Sequence, residues 1–347
     1  MMAKLNENSS LKEIMDSLEN TAKEIEENKV IYDNAITVVD KKTNFNDSSS
    51  IINILYDDSY IYVLKASKLV KTDLNFNVIF SISYPIFKCF CISEDYIYAS
   101  TTENIYQINK KTGAVNRTIT NNFVDNMYFY NNILYCYKNS TATMILINAS
   151  SNLFSINLTK DCIPLSIKSF SAVGNIKVNS AGIYVLVQDS SDIASIYLLN
   201  HNLTQKIASA ILRDSNGARK IMLLNNEVYV SCNRGLTGYL GEGYLNKYTS
   251  NLSLQIKLSD DKYKYLIGLD NDSNYIYATK SRYELEHSKI VKFSSNLSEL
   301  NSYEFEGYGS PNIIYKNYNI YINGNIDNGT IARLALTKKF YVKREMF

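Results

Sequence analysis

The stretch DSNYIYATKSRYELEHSKIVKFSSNLSELNSYEF, Asp272 to Phe305, holds two apolar runs around a polar tip, then the turn SSNLS and a last alternating strand. Its core, YIYA at Tyr275–Ala278, recurs as YIYV at Tyr60, YIYA at Tyr96, ILYC at Ile133, GIYV at Gly182, EVYV at Glu227 and YNIYI at Tyr318. The shared tyrosines are Tyr62, Tyr98, Tyr135, Tyr184, Tyr229, Tyr277 and Tyr321, spaced by 36, 37, 49, 45, 48 and 44 residues. That period suits one four-stranded propeller blade per repeat.

A second signature follows each tyrosine: KLVKTDLNFNVI, NIYQINKKTGAV, MILINASSNLF, SIYLLNHNLTQ, YLNKYTSNLSL, KIVKFSSNLSE and TIARLALTKKF. An alternating strand enters a turn of Asn, Ser, Asp, Thr or Gly and another leaves it, which is hairpin chemistry. In the sixth unit strand A reads KYLIGLD, strand B NYIYATK, strand C KIVKF and strand D ELNSYEFE. One such sheet cannot bury both faces alone, so the units must close on one another. The expected fold is all-β, a seven-bladed β-propeller of four-stranded antiparallel blades behind a short N-terminal helical segment. The last unit ends in KKFYVKREMF, which reads as a complete outer strand. On that reading the first and last blades meet by packing alone, or the AITVV run near residue 37 completes the closure.

Composition agrees with a repeat protein of turns and strands. Among 347 residues there are 29 tyrosines and only three prolines; tyrosine favours strands, and the abundant asparagine favours turns. A net charge of +2 leaves no footprint for nucleic acid. The N-terminus lacks a signal-peptide core and no run reaches membrane-spanning length, so synthesis in a cytoplasm without membrane insertion is expected.

The first 49 residues stand apart from the expected propeller at 50–347. Ser10 and Glu13 fit a capping box, and Leu11, Ile14, Leu18, Thr21 and Ile25 form a three-four apolar seam. A helix of about 18 residues spans roughly 27 Å. Its seam needs a partner: the propeller's own rim, another protein, or a second copy in a homo-oligomer. The Ser-rich NFNDSSS then links it to the first blade.

Chemistry is sparse. Only His201 and His287 exist, both read as loop residues, so a histidine triad or His-rich metal site has little material. The five cysteines, Cys89, Cys91, Cys136, Cys162 and Cys232, lack zinc spacing and read as buried thiols. Asp270, Asp272 and Asn274 stand at calcium-loop spacing, but Tyr275 falls where that loop needs glycine and Ser281 where it needs glutamate. The glycines of GYLGEGY lack the strand and helix of a phosphate cradle. No metal and no cofactor are expected.

The repeat symmetry breaks at one group of loops. Blade 5 expands its B–C connection to NRGLTGYLGEG and blade 6 to SRYELEHS, beside the D–A loops SDDKYK and EGYGSP. These connections emerge on one face, where repeat proteins place binding insertions. Arg234, Tyr239, Arg282 and Tyr283 with Asp260, Asp261, Tyr263 and Tyr308 form the candidate patch, able to stack on sugar rings or anchor a protein.

The segment ENKVIYDNAITVVDKKTNFNDSSSIINIL resembles one near the start of tail-fibre and baseplate-appendage proteins in phages of Gram-positive bacteria. Its usual shape is a short helix, NAI, a KG turn, a Ser and Asp stretch, then an apolar helix. The match lies at Asn34, Ala35 and Ile36 and at Ser48–Ser50 with Ile51, Ile52 and Leu55, about 30 residues; Lys41 and Lys42 depart from the glycine turn. Tyr- and Asn-rich propellers behind such a segment resemble tail proteins of clostridial phages and tailocins, the phage-tail-like bacteriocins. The resemblance implies a non-enzymatic virion component, located in the tail or baseplate. Leu11, Ile14, Leu18 and Ile25 would dock it to other tail proteins, and a propeller face would bind host carbohydrate or S-layer protein as a receptor-binding protein. The alternatives are a baseplate scaffold bound to other virion proteins, and a carbohydrate-cleaving enzyme using two of Asp260, Asp261, Glu242 and Glu286.

Overall fold

A computed structural model describes residues 34–84, 86–120, 124–139, 151–157, 164–170, 172–188, 194–212, 217–233, 243–260, 265–282, 287–306, 312–316, 319–323 and 330–338, with Lys12, Met15, Asp16 and Glu19. Twenty-eight strands, numbered β1 to β28 along the chain, form seven antiparallel sheets of four. The first strands of the blades are β2 (Ile51–Tyr56), β6 (Phe87–Ile92), β10 (Asn126–Tyr130), β14 (Ala172–Asn179), β18 (Gly217–Leu224), β22 (Tyr265–Asn271) and β26 (Asn312–Lys316). Each packs against the next, and β26 against β2, so they ring a central axis. The seven-bladed all-β architecture read from the repeat is present; the N-terminal helix, with Leu11, Ile14, Leu18 and Ile25, lies outside the described residues.

The ring closes differently from the packing-alone arrangement. Blade 7 takes β26, β27 (Asn319–Asn323) and β28 (Ile331–Lys338) from the C-terminal part, and its fourth, outermost strand is β1 (Asn34–Thr43), paired antiparallel from Asn34 with Lys338 to Thr43 with Ile331. The AITVV run therefore supplies the outer strand that KKFYVKREMF was expected to form, and residues 339–347 lie outside the described residues. The boundary at 49/50 is corrected accordingly, because backbone pairing ties residues 34–43 into the sheet. Residues 41–42 and 51–55 of the tail-fibre-like segment are strand, where that pattern calls for a turn and a helix. Two local readings also change. In blade 3 the third strand is β12 (Ser151–Asn157) and not MILIN, and His287 opens strand β24 (His287–Ser294) and does not sit in a loop.

The segment between β1 and β2 is pinned by buried polar groups. Lys65, fully buried, donates from Nζ to the carbonyls of Asn44 and Asp47, and Lys68 Nζ donates to the Phe45 carbonyl at 2.7 Å. Asp47 accepts from the Ser49 amide at 2.7 Å and the Ser67 hydroxyl at 2.7 Å. Burial opposes ionisation of Asp47, but these bonds and the Lys65 charge hold its carboxyl down at about 2.

Adjacent blades are latched by one repeated contact. The signature tyrosines are buried between blades, and three of them reach the C–D turn of the next blade: Tyr184 donates to the Ser250 carbonyl at 2.9 Å, Tyr229 to Ser295 at 3.1 Å and Tyr321 to Leu74 at 3.0 Å. In those turns Leu252, Leu297 and Phe76 have φ of 62°, 61° and 65°, and Leu203 in blade 4 has 59°. A left-handed, non-glycine residue costs roughly 1–2 kcal/mol. Here that backbone points a large apolar side chain inward to pack beside the tyrosine of the preceding blade, and burying it offsets the strain by about 1.5–3 kcal/mol. Blade 2 departs, with Gly113 at φ 75°; there Lys110 pairs with Asp57 at 2.6 Å, and Tyr62 donates to Asp57 at 2.7 Å within its own blade.

The A–B turns are local chemistry. Asn131–Asn132 and Asn225–Asn226 all have positive φ, the mirror-image hairpin turn that matches strand twist. Asp57 and Asp272 instead accept two backbone amides each. GIYV breaks the YIYA pattern because a Cβ on Gly182 would stand 2.3 Å from the Leu199 carbonyl oxygen.

Candidate functional site

A four-stranded meander has two ends. The B–C and D–A connections leave from one, here the loop end, and the A–B and C–D turns lie at the other, here the base. At the loop end Asp260 closes β21 (Leu254–Asp260) and Arg282 closes β23 (Tyr275–Arg282), whose register sets Arg282 opposite His287. Strands therefore run through both ends of SRYELEHS and leave residues 283–286 as the connection, shorter than the expected eight-residue loop. Arg234, Tyr239, Asp261, Tyr263, Tyr283 and Tyr308, with Glu242 and Glu286, lie outside the described residues, as do the side chains of Asp260 and Arg282.

The base carries the chain's junctions with its flanking segments. Asn34 and Lys338 are register partners there, so residues 1–33 and 339–347 both join the ring at the end opposite the candidate patch.

At the axis, ring closure assembles a polar group that no local motif announces. Asp270 lies near the end of β22; it accepts the Tyr315 amide of blade 7 at 2.7 Å and the Tyr56 hydroxyl of blade 1, within the field of Lys177 on β14 and Lys220 on β18. Lys177 Nζ stands 5.1 Å from the centre of the Tyr128 ring of blade 3. Only residues facing one axis can bring these blades together on one carboxylate. Burial pushes Asp270 up to about 6, against the pull of the backbone bonds and the two lysines. Lys220 is pushed down to about 8, by burial first and by Lys177 second. Such opposed displacements mark groups whose position costs stability, which is common at functional sites.

The sign of that cost is testable. The Asp270 pKa is raised in the fold from the ordinary 3.8, so the unfolded chain loses its proton first and stability falls as pH rises from about 4 to 6. Asp270→Asn should remove that slope. Its stability relative to wild type should shift in its favour by on the order of 2–3 kcal/mol between pH 4 and pH 7 in urea titrations; a pH-independent difference would refute the placement.

The remaining candidates are structural. Asp272 spends one oxygen on the turn amides and the other on the Tyr277 hydroxyl at 3.0 Å, while Asp270 turns to the axis, so the pair does not share a cation. No group of three or more metal-ligating side chains occurs among the described residues. His201 stacks on Tyr130 at 5.6 Å and bonds the Asn179 carbonyl at 2.8 Å, a contact across a blade turn. Cys89, Cys91 and Cys136 are buried in one cluster between blades 2 and 3, their thiols pushed up by burial, Cys232 is also buried and accepts from the Asn246 side-chain amide at 3.6 Å, and Cys162 lies outside the described residues.

No protein-family model matches the chain, and no curated protein matches it in sequence. Solved structures do resemble it. Hydrazine synthase of Kuenenia stuttgartiensis has a TM-score of 0.65 at 9% identity, over 87% of this chain and 99% of that one. BamB from Moraxella catarrhalis scores 0.55 at 8% identity, over 86% and 99%, and the WD40 β-propeller domain of Doa1 scores 0.58 at 8% identity, over 87% and 96%. At such identity the likeness speaks for fold alone: the chain is a seven-bladed β-propeller.

Proposed function

We propose that the protein is a two-ended, non-enzymatic attachment module, a tail-fibre or baseplate component of a phage or tailocin. Its base joins the particle and its loop end binds the bacterial surface. One observation carries this reading: the chain joins its flanking segments at the base, whereas the departures from repeat symmetry, around Arg234, Tyr239, Tyr263, Arg282, Tyr283 and Tyr308, belong to connections at the loop end. Attachment needs two separated faces held rigidly, which interlocked blades supply, and recognition of sugar rings needs aromatic platforms with polar neighbours. The particle assignment is supported by the sequence resemblance around Asn34–Ile36 and Ser48–Leu55.

The test is saturable binding of labelled full-length protein to intact cells and purified walls of low-G+C Gram-positive hosts. Tyr239→Ala with Tyr283→Ala should weaken binding at least tenfold, as loss of aromatic anchors does, without moving the melting temperature. If the wild-type protein binds no strain that its particle kills or infects, while the same residues are buried against a tail protein, the module is a scaffold.

A further inference from the structure

We propose that the outer edge of blade 4 pairs with the same edge of a second copy, joining two propellers in a two-fold dimer. The strand concerned is β17 (Lys206–Ile211), the last in its sheet, and an edge strand offers its backbone as a template for another strand. Ala208 and Ala210 pack against the cluster between blades 4 and 5, which turns Ile207, Ser209 and Ile211 to the other face. There all three are exposed, Ile207 by 50% and Ile211 by 60%. Single exposed aliphatic residues are ordinary on a surface. One at each end of an uncharged strand face sets blade 4 apart from the other outer strands whose side chains are described. Elsewhere that face ends in Ser83 in blade 1, is polar at Asn116 and Thr118 in blade 2, and carries Lys257 in blade 5 and Glu304 in blade 6. The bulge near the start of these strands recurs in blades 1 to 6 and makes no distinction among them.

The residues of that strand select the occupant. Positions 207–211 read Ile-Ala-Ser-Ala-Ile, the same in both directions. A two-fold interface is isologous, so residue i meets j while j meets i. Antiparallel pairing of β17 with itself about Ser209 sets Ile207 against the partner's Ile211, Ala208 against the partner's Ala210 and Ser209 against its own equivalent. Side-chain contact across paired strands is what stabilises them. In blade 1 the same pairing would set Ile79 against Ser83 and lose both apolar contacts. Lys206 keeps its charge out of the pairing, because its Nζ lies 4.9 Å from the centre of the Tyr197 ring in its own blade. Each outer strand runs from base to loop end, so antiparallel pairing puts the loop end of one copy beside the base of the other. Five paired residues make an interface below the standard size, and such a dimer forms at concentrations on the order of 100 µM. The inference does not depend on the cell-surface reading, and its test involves no cells.

Sedimentation equilibrium of the full chain between about 10 and 300 µM decides it, with a monomer–dimer equilibrium expected. Ile207→Lys with Ile211→Lys sets lysine against lysine at both ends of the pairing and should raise the dissociation constant at least tenfold. The melting temperature should not move, because both side chains are exposed. Ser209→Cys places a thiol on the two-fold axis and should give a disulfide-linked dimer with an added oxidant. Ser81→Cys, at the matching place in blade 1, should not, and neither should the wild type. A chain that stays monomeric over this range, a dimer that survives both lysines, or cross-linking through Ser81→Cys as fast as through Ser209→Cys would each overturn the proposal.

Discussion

A chain beginning at residue 50 should melt roughly 6 °C below the full-length protein and self-associate, although it contains all seven YIYA-like repeats. Its loss is β1, which pairs with β28 from Asn34 to Thr43, together with the Lys65 and Asp47 contacts that pin the following segment. Without them β28 becomes an open edge, a template for pairing with other chains. The Asn44 and Asp47 carbonyls that accept from buried Lys65 also vanish, which weakens the compensation of a buried ammonium. A combined cost of about 4 kcal/mol lowers the melting temperature by roughly 6 °C in a propeller of about 300 residues, at an unfolding entropy of about 2.1 cal/mol/K per residue. A chain beginning at residue 34 should melt like the full-length protein. Scanning calorimetry with light scattering on the three lengths checks this, and equal, monomeric melting of residues 50–347 would mean the ring closes by packing alone.

The latch between blades makes the second large effect, with an unusual order of severity. Tyr229→Ala and Tyr184→Ala should each cost about 3–5 kcal/mol, since a fully buried aromatic is removed. Tyr184→Phe should cost only about 1–2 kcal/mol, the share of the bond to the Ser250 carbonyl. At Leu252, with φ of 62°, glycine relieves strain that alanine keeps. Leu252→Gly should therefore be less damaging than Leu252→Ala by roughly 1 kcal/mol, the reverse of the usual ranking in regular structure. Urea midpoints for the five variants measure this directly. If glycine is the worse substitution, the turn's positive φ is not what holds the latch.

The latch also explains why so much of the fold could be read from one line of letters. A propeller sets its blades in nearly equivalent environments, so the same physical demand, a tyrosine between blades and an inward residue in the next C–D turn, selects the same letters each time. The strands of the sixth unit fall within two residues of their reading. Departures track changed demands: Gly182 avoids a backbone carbonyl, and Gly113 stands where a lysine and aspartate replace the apolar latch.

Other features had no local signature. AITVV alternates as any strand does, and its partner LALTK lies about three hundred residues away, so its place depends on the ring's geometry. KKFYVKREMF looked like the natural outer strand because adjacent segments usually pair. The axial group was invisible for the same reason: Tyr56, Lys177, Lys220, Asp270 and Tyr315 come from five blades, and Asp270 sat inside a stretch that spelled a calcium loop.

By itself, then, the sequence determined the blade, its number and its turns, because these depend on alternation, backbone preference and short hairpins, all written within some forty residues. Only the tertiary structure decided which strand seals the ring, which end carries the chain's junctions and which charges face one another at the axis. Those depend on closure, which brings together residues that no local energy term connects.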